Sequence, residues 1–424
     1  MARNRNRPRA GEQHEVTIRD LAYGGKGVAR LGSEEAPGMT VFVGSTAPGD
    51  EVRITLDRVK RRHAEAHVSE LITAGPDRIE PSCTHYSEGC GGCSWQHLGY
   101  DTQLSAKEKV VRESLERIGE FADVAVSPIV AADEPWFYRN KMEFSFHARD
   151  GLGLHAGGDW RRVIPITECR LESELAMRII EYARNFAQRE GLAGWDPATN
   201  QGFLREIMIR HGRATGQTMV GLITERGAFA GAPEFAAGVA ALDDSIVSVV
   251  RGIRGAFEEG SPIDRIETLY GSASIVEEVA GLRFNIGLQT FFQTSTAQAE
   301  RMLAIVREEV QGVGSGNIER ILDVFCGVGF FTLGLADLAS EAIGVEIVEP
   351  SIIAARENAS TNGIDNTSTP AMLAARCPSC SSAMAPRMSR SSIRREAVPA
   401  ARSCGASLAL PRSDSCMSRA TRRR

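Results

Sequence analysis

The chain has 424 residues, 42% apolar and 24% charged, enough for two or three domains. That composition excludes a collagen-like, coiled-coil or wholly disordered protein. No apolar run reaches the roughly 18 residues that span a bilayer, and the basic start Met1-Ala2-Arg3-Asn4-Arg5 lacks the apolar stretch of a secretory signal. A cytoplasmic, monomeric protein with no membrane segment is expected. With 49 basic against 54 acidic residues the net charge is −5, which argues mildly against nucleic-acid binding. The charge is unevenly placed, however. Residues 365–424 hold eleven Arg, no Lys and three acids, a local +8, which leaves −13 for residues 1–364. The same stretch has twelve Ser, four of the nine Cys and no aromatic, so it reads as a basic tail or as sequence foreign to the fold.

In chain order, Arg3, Arg5, Arg7 and Arg9 alternate with Asn and Pro and suggest a disordered arm over residues 1–13. From His14 to about residue 72, short β segments alternate with glycine breaks: Val16-Thr17-Ile18, Tyr23-Gly24-Gly25-Lys26-Gly27, Thr40-Val41-Phe42-Val43 and Val52-Arg53-Ile54-Thr55-Leu56. Short strands at this spacing predict a small closed barrel. The basic run Arg58 to Arg62 that follows is either a solvated strand end or an RNA contact. A cysteine-rich loop, Cys83 to Cys93, precedes a helix over about 101–118 with Leu104, Val111, Leu115 and Ile118 on one face. A mixed α/β region runs to about residue 275, with a strand over 141–146 and a helix over 171–188 bearing Leu171, Leu175, Ile179, Tyr182 and Phe186 on one stripe. From there the pattern is α/β: a helix over 297–311, a strand over 320–325, a glycine turn, a helix over 331–339, a strand over 342–347 and a helix over 351–362 ending at Gly363.

Three constellations carry chemistry. In Asp323-Val324-Phe325-Cys326-Gly327-Val328-Gly329, glycines between strand and helix let the backbone approach a ligand, and Glu346 closes the next strand. An acid about twenty residues downstream can accept ribose hydroxyls. Thr332 occupies the third glycine position of a dinucleotide fingerprint, so a nucleoside without phosphates, S-adenosylmethionine, fits better; a plain strand–turn–helix is the alternative. Cys326 reads as a small packed residue. In the second constellation, Cys83, Cys90 and Cys93 put three thiolates within eleven residues, so a metal site needs a fourth ligand from afar. Sulfur ligands suit zinc or an iron–sulfur cluster alike. His85 and His97 read as loop residues. The third, Thr290 to Thr296, joins aromatics, an amide and a helix cap, either as a lid on the cofactor or as a buried strand end. Cys377-Pro378-Ser379-Cys380 reads as a chance C-x-x-C.

Taken together these residues resemble the RNA uracil-C5 methyltransferase family, which makes 5-methyluridine in 23S rRNA and tRNA. The resemblance covers about residues 14–364. It implies a multidomain α/β protein: an OB-like TRAM barrel over 14–72, a central RNA-binding α+β domain over 73–275, and a Rossmann-like methyltransferase domain, incomplete here, over 276–364. Cys83, Cys90, Cys93 and Cys169 match the family's 4Fe–4S ligands, and Tyr138-Arg139-Asn140-Lys141 matches a central-domain signature. Gln293, Phe325 and Glu346 match residues that contact S-adenosylmethionine, Glu346 on the ribose. Ser295 and Phe330 depart from the usual Asn and small or polar residue, which implies modestly weaker cofactor binding. The implied mechanism adds a cysteine thiolate to carbon 6 of an unstacked uracil, so that carbon 5 attacks the sulfonium methyl; a general base then removes the carbon-5 proton.

The family pattern fails after Gly363. A third strand, a D-P-P-R-type loop and the S-C-N-P strand with the nucleophilic cysteine are expected there, and Ser403-Cys404-Gly405-Ala406 shares two letters with the last. No catalytic residue is therefore assigned. An abrupt change to Arg, Ser, Ala and Pro is what out-of-frame translation of a GC-rich gene yields. The chain then reads as an impaired rRNA methyltransferase, with a tRNA enzyme or a non-catalytic RNA-binding iron–sulfur protein as alternatives.

Overall fold

The computed structural model describes residues 7–32, 37–255, 263–313 and 318–368. Residues 1–6 of the predicted basic arm, the C-x-x-C and Cys404 lie outside them, whereas the end of that arm is ordered, with Gly11 N donating to Leu56 O (2.8 Å) and Leu56 N to Glu12 O (3.0 Å). The chain divides into two compact units, residues 1–138 with 143–207, and residues 139–142 with 208–424.

The first unit opens with β1 (Gln13–Thr17), β2 (Asp20–Leu21), β3 (Gly27–Gly32), β4 (Pro37–Val43), β5 (Glu51–Val59) and β6 (His63–Thr73). Their order is β1-β5-β6-β4-β3-β2. Ile18 donates to Asp50 and Arg19 to Val28, so one continuous segment, β1 into β2, bonds both edges of the sheet. This closes the barrel the alternation predicted. Its interior is Ile18, Ala29, Val41, Val43, Val52, Ile54, Leu56 and Ala64. The run Arg58 to Arg62 ends β5 and turns into a further strand, β6, rather than ending the barrel. One residue in the closure is charged and buried: Asp50 accepts from Ala47 N (2.6 Å), Gly75 N (2.9 Å) and the Arg78 guanidinium (2.6 Å), whose other nitrogen contact is Ser45 O.

After a short turn of helix, α1 (Thr84–Ser87), comes α2 (Tyr100–Arg117). The predicted apolar face of α2 is not buried: none of its residues is, and Val111 is 50% exposed. Four apolar residues in eighteen make too thin a stripe to seat a helix in a core. An antiparallel meander, β7 (Lys141–His147), β8 (Gly151–Ala156) and β9 (Asp159–Pro165), leads to α3 (Glu174–Arg189). The side chain of Ser173 caps α3, which buries Ile179, Ala183 and Phe186 but leaves Leu175 and Tyr182 only partly covered. Leu171, Ile179 and Phe186 of the predicted stripe are thus buried, and Ala176, Ile180, Ala183 and Ala187 take the places beside them that Leu175 and Tyr182 were expected to fill.

In the second unit, β10 (Leu204–His211), β11 (Thr218–Glu225), α4 (Ala232–Ala240), β12 (Ile246–Arg254) and β13 (Arg265–Gly271) form a sheet, with β11 and β12 parallel and β13 antiparallel. A hairpin, β14 (Ser274–Val279) and β15 (Leu282–Gly287), precedes α5 (Thr296–Gly312). Then follow β16 (Ile318–Val324), α6 (Phe330–Gly334), a 3-10 turn (Ala336–Leu338), β17 (Ala339–Val345), α7 (Glu349–Thr361) and β18 (Thr367–Ser368). Strands β16, β17 and β18 are parallel and adjacent in that order. A third strand therefore does begin after Gly363, contrary to expectation. Asn366 fixes its start by donating to Ala336 O (2.8 Å) and Ala339 O (3.1 Å). Its two residues, Thr and Ser, carry no apolar signal that a sequence pattern would register. No helix among the described residues is long and apolar enough to cross a membrane.

Candidate cofactor and cysteine sites

The predicted nucleoside-binding turn lies between β16 and α6. Phe325 (φ +70°), Gly327 (φ +55°) and Gly329 (φ +86°) take left-handed backbone, a conformation strained for phenylalanine and free for glycine. Phe325 and Cys326 both donate their N–H groups to Val345 O, the last residue of β17 (2.8 and 3.1 Å). The turn is thereby folded over the strand tip, and the Phe325 ring stands 61% exposed. Glu346 follows directly. Its carboxylate accepts from Gly327 N (3.1 Å), Ile347 N (2.7 Å) and Val348 N (2.9 Å). Three fixed backbone donors orient the acid beside the turn, where it stays half-buried. The structure therefore brings Phe325 and Glu346 together.

Cys326 points the other way. It is buried, and burial, followed by the charges of Asp323 and Glu346, pushes its thiol up to about 12. It cannot be a thiolate at neutral pH, which bears out its reading as a packing residue. A Cβ at Gly344 of β17 would lie 2.8 Å from its sulfur, so the strand needs glycine there. Asp323 is also pushed up by burial, while Thr332 Oγ1 donates to it at 2.6 Å and ties β16 to α6.

Gln293 reaches the same region through its neighbour. Phe292 packs on Phe284 and Phe330 with centroids 5.5 and 5.7 Å apart. Phe330 is the first residue of α6 and 6% exposed, so the segment carrying Gln293 is seated against the start of the helix that follows the turn. The departure at 330 is a core residue in this chain. The departure at Ser295 is the cap of α5, its Oγ accepting from Gln298 N. The stretch 288–295 is irregular rather than a strand, with Phe291 65% exposed.

Two polar residues hold this segment, Asn140 of the Tyr138–Lys141 signature and Glu277, which no motif marked. Asn140, 5% exposed, donates Nδ2 to Gln293 O (2.7 Å) and to Thr296 Oγ1 (3.0 Å), and its N–H to Thr294 O (2.8 Å). Glu277 is fully buried and accepts from Thr296 Oγ1 (2.8 Å), Arg213 N (2.9 Å) and Ala214 N (3.0 Å). Arg210 donates to Leu288 O and Thr290 O. Of the backbone oxygens named here, those of Gln293, Leu288 and Thr290 are anchored by a buried side chain and that of Thr294 by the Asn140 N–H. Glu277 escaped notice because a Glu in an alternating hairpin normally faces solvent.

The four cysteines Cys83, Cys90, Cys93 and Cys169 line one pocket in the first unit, closed on its apolar side by Leu154, Ile166 and Leu171. They are thiols rather than disulfides. Residues flanking Cys83 bond residues flanking Cys169: Glu168 accepts from Thr84 N and Oγ1 (both 2.9 Å), and Arg170 donates to Ser82 O (3.3 Å). The intervening loop lies on the end of β8 through Gly91 N to His155 O and Gly157 N to Gly89 O (both 2.9 Å). A Cβ on Gly91 would come within 2.7 Å of His155 O, so that approach requires glycine. Burial, then the three neighbouring cysteines, raises the Cys169 thiol to about 11. Four such groups crowded together gain by sharing a cationic centre. Among the described residues, though, no three His, Cys, Asp or Glu side chains are arranged to ligate a single metal ion. His85 is engaged at both nitrogens, by Glu88 (2.7 Å) and Thr167 (3.0 Å), which fits a loop role.

Comparison with known proteins agrees with this architecture. Residues 9–69 match the TRAM domain model, and residues 276–390 match that of tRNA (uracil-5-)-methyltransferase. An uncharacterized RNA methyltransferase of Halalkalibacterium halodurans is 32% identical over 355 residues, covering 83% of this chain and 75% of its own. The chain belongs to the RNA uracil-C5 methyltransferase family. Another relative, from Thermosynechococcus vestitus, is 34% identical over 84% of this chain and 77% of its own. Among solved structures, the tRNA (uracil-54, C5)-methyltransferase of Pyrococcus abyssi, in complex with S-adenosyl-L-homocysteine, is similar at 27% identity with a TM-score of 0.64 over 84% of this chain and 79% of that one. The methyltransferase match crosses the compositional break at residue 364.

Proposed function

We propose that this chain binds S-adenosylmethionine at the β16–α6 turn and derives from an enzyme that methylates carbon 5 of a uridine in 23S rRNA. The observation that carries the reading is the Glu346 carboxylate, oriented by three backbone N–H groups beside the left-handed turn Phe325–Gly329. In it Glu346 would accept the ribose hydroxyls, Phe325 would contact the cofactor from the turn, and Gln293 would hold it by hydrogen bonding. When bound, S-adenosylmethionine supplies an electrophilic methyl group. The protein's part is to hold that sulfonium in place, exclude water around it and present the extruded base.

The four cysteines are read as the ligands of a 4Fe–4S cluster rather than zinc. A zinc ion needs its sulfurs around one point at about 2.3 Å, whereas a cluster offers one iron to each thiolate and accepts wider spacing.

Methyl transfer by this chain is expected to be impaired. No S-C-N-P occurs in the sequence, and Cys326, the one cysteine in the turn among the described residues, is buried with its thiol pushed up to about 12. Sequencing the gene across the codons for residues 360–370 tests the frameshift: if no single-base change restores S-C-N-P, that account fails. Incubation with labelled S-adenosylmethionine and separate 23S rRNA and tRNA transcripts tests the rest. Label at carbon 5 from the frame-restored gene, and little from the chain as written, is the expected result; no label from either overturns the activity. A tRNA substrate is the second reading, favoured by the similarity to a tRNA (uracil-54, C5)-methyltransferase.

A further inference from the structure

Two asparagines one helical turn apart take the place of a neighbouring strand beside β15. Among the described residues β15 pairs with β14 alone, so its other edge offers backbone groups that need partners. Asn362, just past the end of α7, accepts from Arg283 N with Oδ1 (2.9 Å) and donates Nδ2 to Arg283 O (2.8 Å). Asn358 of α7 accepts from Asn285 N, two residues along the same edge (2.8 Å). A side-chain amide carries both an acceptor and donors, so it can stand in for a peptide group.

Asn358 differs from Asn362 in where its remaining group goes. It is fully buried, and its Nδ2 donates to Val328 O at 3.1 Å. Val328 lies inside the turn Phe325–Gly329, between the two left-handed glycines. Glycine on either side leaves the direction of this carbonyl free to turn, so a fixed donor decides it. The same helix meets the turn at Ala355, whose Cβ is 3.4 Å from the place of a Cβ on Gly329. The hairpin that Asn358 grips also holds the other half of the site. Glu277 of β14 accepts from Thr296 Oγ1 at 2.8 Å, just beyond Gln293. Phe284 of β15, directly opposite Glu277, packs on Phe292 and Phe330 with centroids 5.5 and 5.8 Å apart. One chain of contacts thus runs from the turn through Asn358 to β15, across the hairpin to Glu277 and into the Gln293 segment.

We infer that Asn358 is a positioning residue for S-adenosylmethionine. It fixes the Val328 peptide of the turn and, through the β14–β15 hairpin, holds the turn in place against the Gln293 segment. It acts through the turn rather than by contact with the ligand. The inference rests on the cofactor reading proposed above and adds a residue which that reading did not include. A ligand bridging two halves of a site loses affinity when either half is free to shift, because binding must then order it.

The test is calorimetric titration of the full chain with S-adenosylhomocysteine at about pH 8 and about pH 5.5, beside thermal melts. Asn358→Asp keeps the acceptor for Asn285 N but sets a carboxylate against Val328 O, and is expected to weaken binding about tenfold at the higher pH. A buried carboxyl facing a carbonyl has a raised pKa. At the lower pH it gains a proton, donates to Val328 O and returns affinity to within about twofold of wild type at that pH. Asn358→Ala, which introduces no charge, is expected to lose about tenfold at both. Asn362→Ala removes bonds to β15 but none to the turn, so it lowers the melting temperature and leaves affinity unchanged. Equal losses of affinity in Asn362→Ala and Asn358→Ala would reduce Asn358 to a structural role, as would a loss in Asn358→Asp that pH does not alter. Wild-type affinity in both variants of Asn358 overturns the positioning while leaving the cofactor reading intact. No binding by the wild-type chain overturns the cofactor reading itself, and the positioning role falls with it.

Discussion

The barrel of β1–β6 and the parallel sheet of β16–β18 solve the same problem in opposite ways. In the barrel, one segment bonds both edges, and Val41, Val43, Val52 and Ile54 are fully buried. In β16, an apolar strand of Ile318, Ile321, Leu322 and Val324, no residue is buried and Val324 is 37% exposed. Among the described residues β16 pairs on one side only, with β17. A closed barrel needs nothing beyond its own strands, whereas a parallel strand of this type is stable when neighbours cover both edges and both faces. Damage to the reading frame after residue 364 would therefore leave the RNA-binding module whole and strip support from the methyltransferase strands.

The largest expected effect breaks the barrel side. Asp50→Ala removes the buried partner of the half-buried Arg78 and leaves the N–H groups of Ala47 and Gly75 without an acceptor. A loss of about 3–5 kcal/mol is expected, read as lost hydrogen-exchange protection in β5 and β6 with β16 and β17 unchanged. Equal loss of protection in β16 would show that the modules are not independent. The pH dependence follows from the same residue. Burial opposes ionisation of Asp50, but hydrogen bonds from Arg78, Ala47 and Gly75 outweigh it and lower its pKa below the ordinary 3.8. Its stabilising contribution is therefore complete above that value and is lost as pH falls through the lower folded one. Acid unfolding of the barrel should begin only below about pH 4, and Asp50→Asn should remove that step.

On the methyltransferase side, Phe330→Ala opens the ring cluster of Phe284, Phe292 and Phe331 and should cost about 3 kcal/mol. Calorimetric titration with S-adenosylhomocysteine checks the link to the site. Affinity should fall with stability, because the segment bearing Gln293 rests on this ring. Unchanged affinity would separate the cluster from cofactor binding.

How much of this was legible beforehand follows from what local patterns encode. The barrel, the turn from Asp323 to Gly329 and the acid at 346 were legible because alternation, glycine and spacing are local signals. The cysteine pocket was half legible. Three of the cysteines fall in one loop, but the approach of Cys169 depends on bonds from Thr84 to Glu168 and from Arg170 to Ser82, across about eighty positions. The face of α3 and the exposure of α2 were not, since which stripe is covered depends on what packs there. Glu277 stayed hidden for the same reason, and the signature that contains Asn140 did not disclose its role. Each is a polar side chain whose role is to satisfy backbone groups far away in sequence. Glu277→Gln tests this: it keeps the shape but loses the charge that three donors share, with an expected cost of about 1–2 kcal/mol. Asn140→Ala should then weaken S-adenosylhomocysteine binding more than it lowers the melting temperature, because its bonds go to the Gln293 segment. If Gln293→Ala leaves affinity unchanged, that segment does not hold the cofactor at all.

The smallest effect sharpens the comparison at a single cap. Ser295 stands where the family usually has Asn, and the departure was expected to weaken cofactor binding. Its Oγ accepts from Gln298 N at the start of α5, three residues beyond Gln293 in the direction of the helix. Asn and Ser rank as near equals at this position, and loss of either to Ala typically costs about 1 kcal/mol. Ser295→Ala should therefore lower stability by roughly that amount and fray the first turn of α5. Because Thr296, in that turn, also bonds Glu277 and Asn140, the fraying should reach the Gln293 segment and reduce S-adenosylhomocysteine affinity about two- to threefold. Ser295→Asn should change neither quantity measurably. A clear gain in affinity from Ser295→Asn would mean that the amide does more than cap the helix, and that the cofactor site was weakened by substitution before the break at residue 364 is considered.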